Sequence, residues 1–170
     1  TADVAKKLLA DDADVGFIGS AVKQSGLRLE RLVGDEVILA VPPDHAFAER
    51  DQVDVEELQG QPLILREEGS GTRRSVEEAL AGAGRSLPRG GVVMSLGSTQ
   101  AVLMAVGQSL GLGFVSARAA AQALASGDLA CVRLSGVDLR RALYLAYLPR
   151  RAGDPLVARF LELVRAQFAE

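Results

Sequence analysis

The chain has 170 residues, 48% of them hydrophobic and 24% charged, and a net charge of −3. That length supports one good-sized domain or two small lobes, and the mild acidity argues against nucleic-acid binding by this chain itself, because such domains present a basic face. A single cysteine excludes an internal disulfide and fits a reducing compartment, and with only one histidine beside it an ordinary zinc site is excluded as well.

The elements follow in chain order. Residues 3–12, DVAKKLLADD, place Val4 and Leu8 four apart with Lys6 and Lys7 on the other side. That spacing predicts a short amphipathic helix, ended by Asp11 and Asp12. Residues 14–19, DVGFIG, form a short apolar run and predict a buried strand. Gly19 and Ser20 fall at its C-terminal end, the edge that ligands of open α/β sheets favour. Residues 20–26 predict a mostly polar loop, and residues 27–33 alternate only weakly. Gly34 and Asp35 are expected to break them from a second buried strand, EVILAV at residues 36–41, which Pro42 and Pro43 close. The only histidine, His45, lies in that turn, where a structural role is expected. Residues 53–58 predict one or two helical turns before Gly60 and Pro62.

Residues 63–74, LILREEGSGTRR, carry the strongest local signal. An apolar strand stops at Arg66, Glu67 and Glu68, turns at Gly69, Ser70 and Gly71, and enters a helix at Thr72. A helix start exposes unpaired N–H groups and partial positive charge, which suits a small anion. Residues 92–100, VVMSLGSTQ, repeat the pattern, with Ser98 as the expected N-cap and Thr99 opening the helix. A strand at residues 111–116, an alanine-rich helix at 118–125, and strands at 129–134 and 142–148 follow. Asp154 caps a last helix that opens with Pro155. Its stripe of Val157, Phe160, Leu161, Val164 and Phe168 is expected to be core, and Cys131 a small apolar strand residue. Strands alternating with helices predict an α/β fold with a mostly parallel sheet.

Catalytic signals are weak. GSGTRR lacks the lysine of a phosphate-binding P-loop, GLGFVS lacks the third glycine of a dinucleotide fingerprint, and no serine sits in a GxSxG elbow. Acidic pairs such as Asp11–Asp12, Glu56–Glu57 and Glu77–Glu78 fit solvated helix surfaces. What remains is binding without chemistry: Ser70, Gly71 and Thr72 at one helix start, Ser98 and Thr99 at another, and Arg73, which can pair an anion bidentately. Glu67 and Glu68 oppose a bare anion if they face it.

In order, LLADDADVGFIG, LVGDEVILAVPPDHAFA, LILREEGSGTRR, LGSTQAVLMAVGQSLGLGFVSARAA, LASGDLACVRL and LRRALYLAYLPRR cover nearly the whole chain. Together they resemble the effector-binding domain of LysR-type transcriptional regulators. The REEGSGTR corner looks most like the branch that regulates carbon-fixation and sulfite-reduction operons. The resemblance implies two Rossmann-like lobes of the periplasmic-binding-protein type II kind, joined by two crossing segments. Lobe one would hold residues 1–32 and 141–170, and lobe two residues 33–140. The effector would meet Gly19 and Ser20 from lobe one, and Ser70, Gly71, Thr72, Arg73, Ser98 and Thr99 from lobe two.

The family domain normally begins with a further strand, helix and strand, so lobe one is expected to be N-terminally truncated here. DNA would be reached only through an N-terminal winged helix-turn-helix outside this chain. The expected partners are a small, anionic effector and further copies of the protein, as dimer or tetramer. No cofactor or metal is expected, nor a membrane, since no apolar run reaches the ~20 residues that span a bilayer; the location expected for such a regulator is cytoplasmic. The alternatives are a solute-binding protein that feeds a transporter and an enzyme on the same lobed fold.

Overall fold

The computed structural model of the chain describes residues 1–21, 25–88 and 90–168. Residues 22–24, the centre of the expected loop over 20–26, lie outside them. In chain order the elements are α1 (Ala2–Leu9), β1 (Val15–Ile18), β2 (Arg28–Val41), β3 (Gln52–Val53), a 3₁₀ turn (Val55–Leu58), β4 (Leu63–Arg66), α2 (Gly71–Gly82), β5 (Val92–Leu96), α3 (Thr99–Gly107), β6 (Leu112–Ser116), α4 (Ala117–Ser126), β7 (Ala130–Leu134), β8 (Arg140–Tyr147), a second 3₁₀ turn (Pro149–Gly153) and α5 (Pro155–Gln167). They fall into two units, Thr1–Gly34 with Arg141–Glu170, and Asp35–Arg140. The chain passes from one unit to the other twice, inside β2 and at the start of β8.

The second unit is layered. Alternate residues of its strands point to opposite faces of the sheet, and both faces are apolar. Val37, Leu39, Val41, Leu63, Leu65, Leu112 and Phe114 pack on one side with Val76 and Leu80 of α2. Ile38, Ala40, Ile64 and Val115 pack on the other with Val102, Leu103 and Val106 of α3 and Ala120 of α4. Pairings along β4–α2–β5–α3–β6 are parallel, as helical crossovers require.

The sheet as a whole is mixed rather than mostly parallel. β2 runs antiparallel to β6 and β7, and β1 antiparallel to β8. β2 and β8 both enter without a helical crossover, which leaves them free to reverse direction. The break expected at Gly34 and Asp35 is absent, and β2 continues through both. Asp35 is 7% exposed, and its Oδ1 accepts from Ser116 Oγ at 2.7 Å, so a residue that reads as a turn signal is satisfied inside the sheet. Helical turns do not begin at Val53 either, because Val53 pairs with Leu134 as part of β3. The 3₁₀ turn starts two residues later behind Asp54, whose N–H reaches Glu57 Oε1 at 2.9 Å in a reciprocal capping box.

In the first unit, β1 pairs with β8 from Val15↔Tyr147 to Ile18↔Tyr144. Leu145 and Tyr147 pack under Val157, Leu161 and Val164 of α5. Each such burial contributes roughly 1.5–3 kcal/mol. Ile18 and Ala146 pack with Leu8 of α1. Asp154 Oδ1 accepts from Leu156 N at 3.0 Å and caps α5 as its spacing predicts. The expected apolar stripe of α5 is only partly core: Phe160 is 41% and Phe168 37% exposed. α5 meets the unit along one narrow face, and Phe160 rests edge-on against Phe17, itself exposed, at 6.4 Å. Cys131 lies in β7, with its side chain exposed rather than packed.

Candidate functional site

In the second unit, strand register sets the site. β4 and β5 are parallel neighbours with Arg66 level with Leu96, and β4 and β6 are parallel with Leu63 level with Leu112. All three strands therefore end at one edge of the sheet, and each leads into a helix. Three helix N-termini stand on that edge, at Ser70, Ser98 and Ser116. The C-terminal ends of parallel strands are where ligands of such sheets bind, and helix starts favour anions there. The first two corners were legible in the sequence. The third, Ser116 leading into α4, was missed as a corner, although a serine before an alanine-rich helix is a capping signal.

The first corner is the most enclosed. Gly69 turns the chain at φ +89, a conformation that glycine adopts without strain. Ser70 and Thr72 are 2% and 7% exposed, and Gly71 between them is buried. Ser70 occupies the N-cap position of α2, yet its side chain makes no capping bond. Arg73 is half-buried. Its Nε donates to Glu77 Oε1 at 2.8 Å and its Nη1 to the Arg66 carbonyl at 3.4 Å, so the fork is held along the helix rather than left to swing.

The second corner is more open. Ser98 is exposed, and its Oγ accepts from Ala101 N at 3.1 Å. The Thr99 hydroxyl accepts from Arg66 Nη1 at 2.7 Å. Arg66, which sequence reasoning left unassigned, thus joins the two corners. Its Nη2 also reaches the Gly97 carbonyl at 3.3 Å, and its Nε donates to Glu67 Oε2 at 2.8 Å. The Arg66 guanidinium holds the Glu67 carboxyl below the usual carboxylate value, chiefly through that hydrogen bond, with burial pulling the other way. Glu67 therefore presents a neutralised ion pair rather than a bare negative charge, while Glu68 is exposed. At the third corner, Ser116 Oγ donates to Asp35 and accepts from Ala119 N at 3.4 Å.

In the first unit, Gly19 and Ser20 follow directly on β1, and both are half-buried. The Ser20 Oγ is withdrawn from solvent and, among the described residues, is the one buried side-chain oxygen without a hydrogen-bond partner. Elsewhere the chemistry is structural. His45 Nδ1 accepts from Phe47 N at 3.1 Å and its ring meets Phe47 edge-on at 4.8 Å, which locks the turn. A hollow on the second unit holds Glu36, Arg133, Asp138 and Arg140, but Arg133 pairs with Glu36 at 3.1 Å and Arg140 with Asp138 at 2.7 Å. Arg140 holds the Asp138 carboxyl down at about 2. Among the described residues, no group of three or more His, Cys, Asp or Glu could hold a metal, and no helix is long and apolar enough to cross a membrane.

The model of the LysR substrate binding domain family matches residues 1–169. The chain is 36% identical over 156 residues to an uncharacterized HTH-type transcriptional regulator, MJ0300, of Methanocaldococcus jannaschii, covering 92% of this chain and 51% of that protein. It is 27% identical over 160 residues to the RuBisCO operon transcriptional regulator of Allochromatium vinosum, covering 94% of this chain and 52% of the relative. It thus spans about half the length of both regulators. Among solved structures, the regulatory domain of Synechocystis PCC6803 CcmR in complex with 2-PG superposes with a TM-score of 0.84 at 19% identity, covering 99% of this chain and 80% of that one. At that identity the likeness shows the fold, an α/β fold of the periplasmic-binding-protein type II kind.

Proposed function

Because the chain belongs to the LysR substrate binding domain family, we propose that it is the sensing domain of a bacterial transcription regulator and binds a small, anionic effector. The observation that carries the site is the first corner: buried Ser70, Gly71 and Thr72 open a twelve-residue helix, its N-cap hydroxyl makes no capping bond, and Arg73 follows. The two further helix starts on the same sheet edge support it, since each adds partial positive charge. The contacts proposed are Ser70, Gly71, Thr72, Arg73, Ser98 and Thr99 in the second unit, and Gly19 and Ser20 in the first. Ser98 ranks lowest among them, because its hydroxyl is already engaged by Ala101.

The effector would favour one conformation of the protein over another and so bias a bound partner or domain. DNA contact falls to a winged helix-turn-helix outside this chain, in a dimer or tetramer in the cytoplasm. No catalytic role is proposed. The relatives named are transcriptional regulators. The fold neighbour solved in complex with 2-PG supports a small-molecule effector for this chain too.

The test is calorimetry after a thermal-shift screen of inorganic phosphate, sulfate, small carboxylates and sugar phosphates. Thr72→Ala with Arg73→Ala should weaken the best anion by about tenfold or more, as the loss of a charge-assisted hydrogen bond implies. Unchanged affinity in a folded variant leaves the corner as a helix start only.

A further inference from the structure

We propose that Arg66 is a positioning residue for the effector: it fixes the Thr99 hydroxyl as a hydrogen-bond donor, and Thr99 takes an anionic oxygen of the ligand. The proposal rests on the effector reading above and names the chemistry met at Thr99, an acceptor oxygen of a carboxylate or a phosphoryl group. Both residues belong to the second unit.

The placement follows from topology. β4 and β5 are parallel neighbours, and Glu67 N donates to the Leu96 carbonyl at 3.1 Å, so pairing runs to the ends of both strands. From there the chain departs to opposite faces. α2 packs with Val76 and Leu80 on one side of the sheet, and α3 with Val102 and Val106 on the other. Adjacent parallel strands whose helices part in this way leave a crevice outside their C-terminal ends, where ligands of open α/β sheets bind. Arg66 reaches across from the end of β4 to Thr99 Oγ1 at the start of α3, 2.7 Å away.

Arg66 itself has little left to offer a ligand. Four of its five N–H groups are engaged, by Thr99, by Gly97 and twice by Glu67, and its side chain is 17% exposed. Its charge is answered by Glu67. Thr99 is different. A hydroxyl has one proton and two acceptor sites, whereas a guanidinium only donates. Arg66 therefore occupies an acceptor site of Thr99 and turns the O–H proton away from itself. Among the described residues that proton has no acceptor. A hydroxyl that accepts from a cation also donates more strongly, since chained hydrogen bonds polarise one another. Thr99 is half-buried, which limits the water that competes for its proton. The adjoining corner holds a second hydroxyl of this kind, that of Ser70, which is 2% exposed and makes no capping bond.

The experiment is a double-mutant cycle with inorganic phosphate and, separately, acetate as probes, at constant ionic strength kept with chloride. Affinity is read by ¹H–¹⁵N titration from the amides of the two helix starts, and the tighter probe says whether a phosphoryl or a carboxylate is preferred. Thr99→Val keeps the side-chain shape, removes the hydroxyl and should weaken that probe by about tenfold, while Thr99→Ser keeps the hydroxyl and should weaken it less. Arg66→Met should weaken it by about threefold to tenfold in the unaltered background and change nothing further in Thr99→Val, because its effect passes through that hydroxyl. The same loss from Arg66→Met in both backgrounds overturns the positioning role, since a bare charge or a structural brace acts whether or not residue 99 carries a hydroxyl. The unaltered protein decides the case of a variant that fails to fold: its Arg66 Nε–H and Thr99 amide signals should move saturably with the probe. If the Ser70 and Thr72 amides move while those two stay still, the Arg66–Thr99 assignment is overturned and the effector reading stands without it. If neither corner responds to either probe, both are overturned.

Discussion

Two corners of the second unit carry a serine in the same position and use it in opposite ways. Ser98 is exposed and commits its hydroxyl to Ala101 N at 3.1 Å. Ser70 is 2% exposed, sits at φ −63 and ψ 134 in the same N-cap position, and makes no capping bond. One serine closes its helix, while the other leaves the α2 start without its own side-chain cap, in the more enclosed of the two sites. A serine before a helix thus has two meanings, and burial together with the missing cap bond separates them. The glycine turn explains part of the difference. Gly69 at φ +89 folds the chain inward before Ser70, whereas Gly97 leads to Ser98 in extended backbone at φ −144.

Arg66 ties the two corners to each other, so removing it is the largest test. Its guanidinium reaches Thr99 Oγ1 at 2.7 Å, the Gly97 carbonyl at 3.3 Å and both oxygens of Glu67. Arg66→Met keeps the aliphatic stem and removes all four bonds. It should cost about 2–3 kcal/mol in urea unfolding, mostly from the Thr99 and Gly97 side. The Glu67 half contributes less, because that side chain is 40% exposed and screened by solvent. A loss below about 0.5 kcal/mol, the usual size of a surface substitution, shows that the corners stand independently.

Much of this was readable before the structure. The LILREEGSGTRR strand, turn and helix appear where the apolar run and the glycines put them, and so does the Ser98 cap, because these signals are local. Long-range pairing was not readable. Asp35 looks like a turn residue until Ser116, 81 residues later, supplies its hydrogen bond. Phe160 and Phe168 fit the helical stripe of α5, but a stripe does not reveal how wide a face its neighbours cover. Arg66 read as a charged strand end, since its partners Gly97 and Thr99 come from a different strand-to-helix corner. Sequence spacing marked the helix starts, and only register put three of them on one edge.

Exchanging the serines sharpens the comparison at smaller cost. Ser98→Ala removes a working cap and should destabilise by about 1 kcal/mol while lowering anion affinity less than Ser70→Ala does. Ser70→Ala removes no cap bond, so it should cost less stability and more affinity. Paired urea melts and calorimetry on the two variants check the crossing. If both lose stability equally and neither loses affinity, the two corners are alike and Ser70 is structural.

The smallest effect expected is the acid response of the Arg66–Glu67 pair. Glu67 is held below its ordinary value of 4.5, first by the hydrogen bond from Arg66. A carboxylate with a lowered folded value stabilises fully above its unfolded value and loses that contribution as pH falls through the folded one. The protein should therefore weaken on the acid side of 4.5, and part of that weakening belongs to this pair. Glu30 is lowered in the same way, chiefly by Arg165, so acid sensitivity alone does not single out Glu67. The difference between proteins does. Arg66→Met removes the cause of the Glu67 shift and keeps the Glu30 pair, so its urea midpoint should fall less steeply with acid than that of the unaltered protein. Equal acid slopes in the two proteins place the titrating groups elsewhere and reduce the Arg66–Glu67 contact to a surface ion pair with no effect on stability.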